Sequence, residues 1–408
     1  MSDAPRDLSV LVFDDESNSA EDLRGRLAEI EGLRVTCLTD PGQELRLLEE
    51  RRRAARSGGA QPDGASAFDD VDILVVDYDL AAESESATTA AETGERVAYL
   101  VRCYSTCGYI VGLNQFANSP VFDLTLTGNP RSFADLNISN EEVDHPALWG
   151  QGLLGYQPWW WPNLREAPAA LRRRASILST EVAIELLTLL GLDDDRVRIQ
   201  LTRNQSAWLT SSGPLGGFRP TDVLKGRLGL RPKDELASDG DRARVAAARI
   251  TKWVERVLIP GQHITIDAPH LLTRYPSLAT TAELARADLR SKSPETYMDV
   301  DKLAGAALPR SWYPMQCWLW PLLIDQEDIE ENADPFADSP DIGNFCEDVS
   351  RFLPRQHTRA FASDFDPFSR RFVANPPPED ALRQGPWGLN RVVYEPSVAF
   401  AIPVAGNA

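Results

Sequence analysis

The 408-residue sequence predicts an α/β chain. A doubly wound, five-stranded parallel sheet at the N-terminus precedes a mixed, mainly helical, tryptophan-rich region. Three observations carry that expectation. Short apolar runs rich in β-branched residues alternate with segments of helical spacing, which implies parallel strands joined by right-handed crossovers. Charge then changes: residues 1–150 hold 28 acidic and 12 basic side chains, the remainder 33 and 30. Residue usage changes as well. All 10 Trp lie at or after Trp149, and residues 1–224 contain no Lys. The expected division is 1–145 and 146–408, the second with room for two subdomains.

The elements follow in order. Residues 9–13 (SVLVF) read as a buried strand. Ser17, Asn18 and Ser19 offer helix caps, Ala20, Leu23, Leu27 and Ile30 follow at helical spacing, and Gly32 stops the helix. Residues 34–38 are a second strand. Residues 41–56 are a second helix, with Leu45 and Leu48 inward. A polar loop over 57–70 leads to the third strand at 73–76 (ILVV). A second polar loop over 81–93 leads to a helix over 95–105, with Val97, Leu100 and Val101 on one face. The fourth strand is 109–113 (YIVGL) and the fifth 122–126 (FDLTL).

Net charge is −19. Such a surface repels phosphate backbones and anionic lipid, so nucleic acid is not an expected partner. No apolar stretch approaches the roughly 18 residues a membrane span needs, and no secretory leader is visible. Five cysteines without a leader point to free thiols in a reducing compartment, hence the cytoplasm. Cys103 and Cys107 read as core packing.

Ligands in open α/β sheets sit beyond the carboxyl ends of the strands. The first strand runs directly into Asp14, Asp15 and Glu16, and the third into Asp77, Tyr78 and Asp79. If these strands are neighbours, Asp14, Asp15 and Asp77 meet. Carboxylates so crowded raise one another's pKa, and a hard divalent cation relieves the repulsion. An oxygen-only ligand set suits Mg²⁺.

LSVLVFDDES followed by a helix, then VDILVVDYDLA, resembles the receiver domain of two-component response regulators, over about residues 7–140. The resemblance implies a flavodoxin-like sheet and a histidine kinase or other protein partner. It implies Mg²⁺ on Asp14 and Asp15, phosphoryl acceptance at Asp77, and a further metal ligand in the backbone carbonyl of Asp79. Departures are specific. Where receivers carry Ser or Thr after the fourth strand, this chain has Asn114. Where they carry Lys before Pro after the fifth, it has Asn129, with Arg131 the nearest cation. That Lys supplies a charge-assisted contact of roughly 1.5–3 kcal/mol to the aspartyl phosphate. The domain is thus expected to be an atypical receiver of the kind joined to unfamiliar partners in bacterial conflict or stress signalling. Two other readings stand beside it. One is a protein-interaction scaffold that is never phosphorylated. The other is a haloacid-dehalogenase-like phosphohydrolase, whose nucleophile motif Asp77-Tyr78-Asp79 also resembles; against it, residue 81 is Ala and the lysine is missing.

Beyond residue 150, Trp159, Trp160 and Trp161 read as packing at a domain junction. Residues 168–190 and 241–258 read as helices, with Arg172, Arg173 and Arg174 on a solvated face. Residues 311–323 are expected in the core, 341–353 in a helix and 392–402 in a terminal strand. His263, Thr265, Asp267 and His270 form a polar cluster expected to be structural. Asp364 and Asp366 read as a turn. No phosphate-cradling glycine loop, serine-nucleophile elbow or zinc-helix motif is present, and the output of this region has no sequence signature.

Overall fold

In a computed structural model the five-stranded sheet is present and all parallel, in the order β2-β1-β3-β4-β5. The structure describes residues 7–38, 41–78, 80, 93–114, 132–140, 143–144, 146–150, 162–181, 183–201, 218–225, 236, 238–259, 262, 264–278, 295, 298, 301–323, 343–346, 351–360 and 372–374. The strands are β1 (Leu8–Phe13), β2 (Leu33–Leu38), β3 (Ile73–Asp77), β4 (Tyr109–Asn114) and β5 (Leu136–Ser139). The helices between them are α1 (Ser17–Ala28), α2 (Gly42–Ser57) and α3 (Gly94–Tyr104). Every residue of β3 is buried, as its unbroken apolar run requires of a strand covered on both faces.

Two local expectations differ from the structure. The helix α1 starts at Ser17, which puts Glu16 in the cap position and Ser17, Asn18 and Ser19 inside the first turn; Glu16 makes no side-chain cap bond, and its carboxylate accepts from the Ser19 hydroxyl. The fifth place in the sheet belongs to Leu136–Ser139; residues 122–126 lie outside the described residues. Hydrogen bonding explains this choice of strand. The Asp135 carboxylate accepts from Ile110 N at 2.7 Å, and the same carboxylate pairs with Arg102 on α3. Both groups are nearly fully buried.

The core does not stop at residue 145. One apolar cluster runs from Val10 on β1 through Trp149, Leu171, Trp253 and Trp312 to Leu319. The helices α4 (Ala167–Thr180), α5 (Leu186–Leu189), α6 (Asp195–Gln200) and α7 (Asp239–Trp253) follow the sheet. The single helix expected over 168–190 ends at Thr180. There the Ser179 and Thr180 hydroxyls donate to carbonyls of the preceding turn, a local bond that competes with helix propagation. Helix α7 keeps its α-form to Trp253 and continues as a π turn over Val254–Leu258.

Helices α4 and α7 pack against each other. Arg174 is not solvated as expected: it is buried and donates to Ser311 O (2.9 Å), Trp312 O (3.1 Å) and Thr251 Oγ1 (3.0 Å), and pairs with Glu255. Arg172 pairs with Asp72 at 2.9 Å, tying α4 to the entry of β3.

A smaller apolar cluster surrounds β6 (Thr265–Asp267), the helix α8 (Ala268–Arg274) and β7 (Cys317–Leu319). The helix expected over 341–353 is absent. Its residues include two antiparallel strands, β8 (Asn344–Cys346) and β9 (Arg351–Leu353). Phe345 faces Phe352 across that ladder with ring centroids 5.3 Å apart, a cross-strand aromatic pair that outweighs helix propensity. The 311–323 segment is core as expected, with Trp312, Tyr313 and Trp318 buried. Trp159–Trp161, Asp364, Asp366 and residues 392–402 lie outside the described residues.

Candidate metal centre

Register builds the site. In the β1–β3 ladder Phe13 pairs with Val76, so the next residue on each strand, Asp14 and Asp77, emerge side by side. Asp15 follows before α1 begins. Ligand oxygens of Asp14, Asp15 and Asp77 all lie within 4.8 Å of one another. Asp14 and Asp77 are buried to within a few per cent, and Asp15 is half-buried. This cluster can hold a metal ion: three hard oxygen donors converge where their mutual repulsion favours a cation. Among the described residues it is the one such group of three or more His, Cys, Asp or Glu side chains.

Burial pushes the Asp14 carboxyl up from 3.8 to about 6. The bond from Glu16 N to Asp14 Oδ1 (2.9 Å) opposes that rise, while the charges of Asp15 and Glu16 add to it. Asp77 Oδ1 accepts from Tyr78 N at 2.7 Å. That same N–H also faces Leu113 O at 3.0 Å, on the neighbouring β4. The start of α3 closes the site from one side. Gly94 donates its N–H to Tyr78 O at 3.1 Å, and a Cβ at Gly94 would collide with the Asp77 carbonyl.

Of the other expected site residues, Asp79, Asn129 and Arg131 lie outside the described residues. Asn129 and Arg131 precede the strand that fills the fifth place instead of following it. Asn114 ends β4, its backbone opposite Ser139.

The structure adds a polar cluster that the sequence reading missed. The Tyr78 hydroxyl and the Ser132 hydroxyl both donate to Glu95 Oε2, at 2.5 and 2.7 Å, and Phe133 N donates to Glu95 Oε1 at 2.7 Å. Burial and the Glu95 charge hold the Tyr78 phenol well above its ordinary value, so it stays a donor. In the second region, Asp267 caps α8 through His270 N, its Oδ1 lies 2.5 Å from His270 Nδ1, and Gln262 Nε2 donates to its Oδ2 at 2.8 Å. All three are buried, which fits the structural role expected of Asp267 and His270; His263 lies outside the described residues. All five cysteines are free thiols. No described helix is long and apolar enough to cross a membrane.

No protein-family model matches the chain, and no curated protein matches it.

Proposed function

We propose that this chain is an atypical response-regulator-like signalling protein of the cytoplasm. Its acidic pocket binds Mg²⁺ and its C-terminal region carries the output. The single observation behind this reading is the convergence of Asp14, Asp15 and Asp77 at the carboxyl ends of two neighbouring parallel strands. Asp77 is the phosphoryl acceptor. Its carboxylate oxygen forms a bond to phosphorus as the bond to the donor breaks, and the leaving group keeps the electron pair. A bound Mg²⁺ would offset the charge of the three carboxylates and of the incoming phosphoryl group. The phosphodonor is a histidine kinase or a small acyl phosphate.

The absence of lysine from the first 224 residues shapes the reading further. An aspartyl phosphate here lacks the lysine that receivers place after the fifth strand, which leaves its stabilisation to the metal and to other donors. That predicts a weakly populated or short-lived phosphorylated state.

The test uses the full-length chain with Mg²⁺ and either beryllofluoride or acetyl phosphate. The expected result is a metal-dependent rise in melting temperature and a phosphoryl mass increment, both lost in Asp77→Asn. A metal-dependent rise without any phosphoryl increment would favour the interaction-scaffold reading. No metal effect and no mass change would remove the proposal. Steady turnover of a generic phosphoester would revive the phosphohydrolase.

A further inference from the structure

The acidic pocket and α7 are joined by an unbroken run of contacts. Tyr78 N is shared between Asp77 Oδ1 and Leu113 O. A ligand that engages Asp77 Oδ1 competes with Tyr78 N for that oxygen, and Leu113 O on β4 is the other acceptor of the same N–H. The Tyr78 ring lies directly over Gly112, where the absence of a side chain makes room for it. The hydroxyl end of the same ring bonds to Glu95 at the start of α3 and lies 3.0 Å from the Ser132 hydroxyl. Glu95 also holds Ser132 and Phe133. The segment 132–135 is gripped from its other side by α7. Lys252 Nζ donates to Ser132 O at 3.0 Å and also to Ala134 O, and the Arg249 guanidinium lies 4.7 Å from the Phe133 ring centroid.

Lys252 and Arg249 are both buried, so neither can trade its contact for water without cost. The Glu95 carboxylate has both oxygens engaged.

We propose that Tyr78 couples occupancy of the carboxylate pocket to the packing of α7 on segment 132–135, so that the C-terminal region responds to the pocket and sets its affinity in return. This rests on the metal-binding reading above and goes beyond it. It supplies a route to the output that uses neither Asn114 nor a lysine after β5. Coupling between binding sites is reciprocal, and typical cases change affinity by about 5- to 150-fold.

The experiment compares the full-length wild-type chain with Tyr78→Phe, which keeps the ring over Gly112 and removes the hydroxyl. Mg²⁺ affinity is measured by calorimetry. Amide hydrogen exchange is followed at residues 132–135 and 239–253, with and without saturating Mg²⁺. In the wild type, Mg²⁺ is expected to change exchange at both segments by about fivefold or more. In Tyr78→Phe, Mg²⁺ still binds, yet the change at 239–253 disappears. A Lys252→Met chain gives the reverse reading: its Mg²⁺ dissociation constant is expected to shift by about fivefold. Persistence of the α7 response in Tyr78→Phe overturns the coupling and leaves the pocket intact. The same holds if wild-type Mg²⁺ binding leaves 239–253 unchanged. Failure of the wild type to bind Mg²⁺ removes the pocket itself, and the coupling with it.

Discussion

At the scale of single residues, Asp14 shows what the pocket demands of the fold. Its carboxyl titrates at about 6 in the folded chain, against 3.8 ordinarily, because it is buried beside other acids. Between those values the folded chain holds a proton that the unfolded chain has released. Stability from this group is therefore present below about pH 4, falls as pH rises to 6, and stays lost above it. In a chelator, the melting temperature of the wild type should drop relative to Asp14→Asn across that interval. Added Mg²⁺ at pH 7.5 should recover the loss in the wild type and not in the variant, with a smaller effect at pH 5. Thermal melts at the two pH values check this. The carboxylates themselves were legible in the sequence because each closes an apolar run, where position in the chain fixes position in the sheet. Tyr78 and Lys252 were not legible. Their partners lie far away in sequence, and no local pattern announces a lysine that will reach two carbonyls 118 and 120 positions earlier.

Among the elements, the strands with continuous apolar runs were predicted within a residue or two, since burial on both faces leaves a simple signature. The fifth strand carries no such signature. Leu136–Ser139 is short and includes a buried Asn137, and its place is set by Asp135 bonding to β4 and pairing with α3. Residues 344–353 failed likewise, their pairing decided by two phenylalanines meeting across a ladder. The junction of β3 and α3 gives an element-level prediction. With Gly94 packed on the Asp77 carbonyl, Gly94→Ala must push α3 away from the strand end. Chemical denaturation should show a loss of about 1–3 kcal/mol, as for other overpacked sites, and weaker Mg²⁺ binding should accompany it.

Over the whole molecule, the apolar core that joins the sheet to α4 and α7 makes the change of composition near residue 150 a boundary in chemistry without a boundary in packing. Arg174 on α4 is buried beside that core and bonded to two segments, α7 with its π turn and residues 311–312. Unfolding followed by tryptophan fluorescence, which reports only residues from 149 onward, and by exchange at β1 and β3 should show one shared transition. Arg174→Ala should lower its free energy by about 3–5 kcal/mol, the range for leaving buried partners uncompensated, and should not split it. Two separate transitions would show that the two regions fold independently.

The grip of Lys252 on the 132–135 segment also has a temporal meaning. The sheet is synthesised long before the residue that fastens the segment leading into its outer strand. At roughly 5–20 residues per second, the 118 positions between Ala134 and Lys252 take about 6–24 s to emerge. Throughout that interval the segment that leads into β5 lacks its fastening, and an outer strand not yet held in place is a template for pairing with a neighbouring chain. Ribosome pausing between these two points would lengthen the exposure, so the yield of intact protein should depend on the pace of translation there.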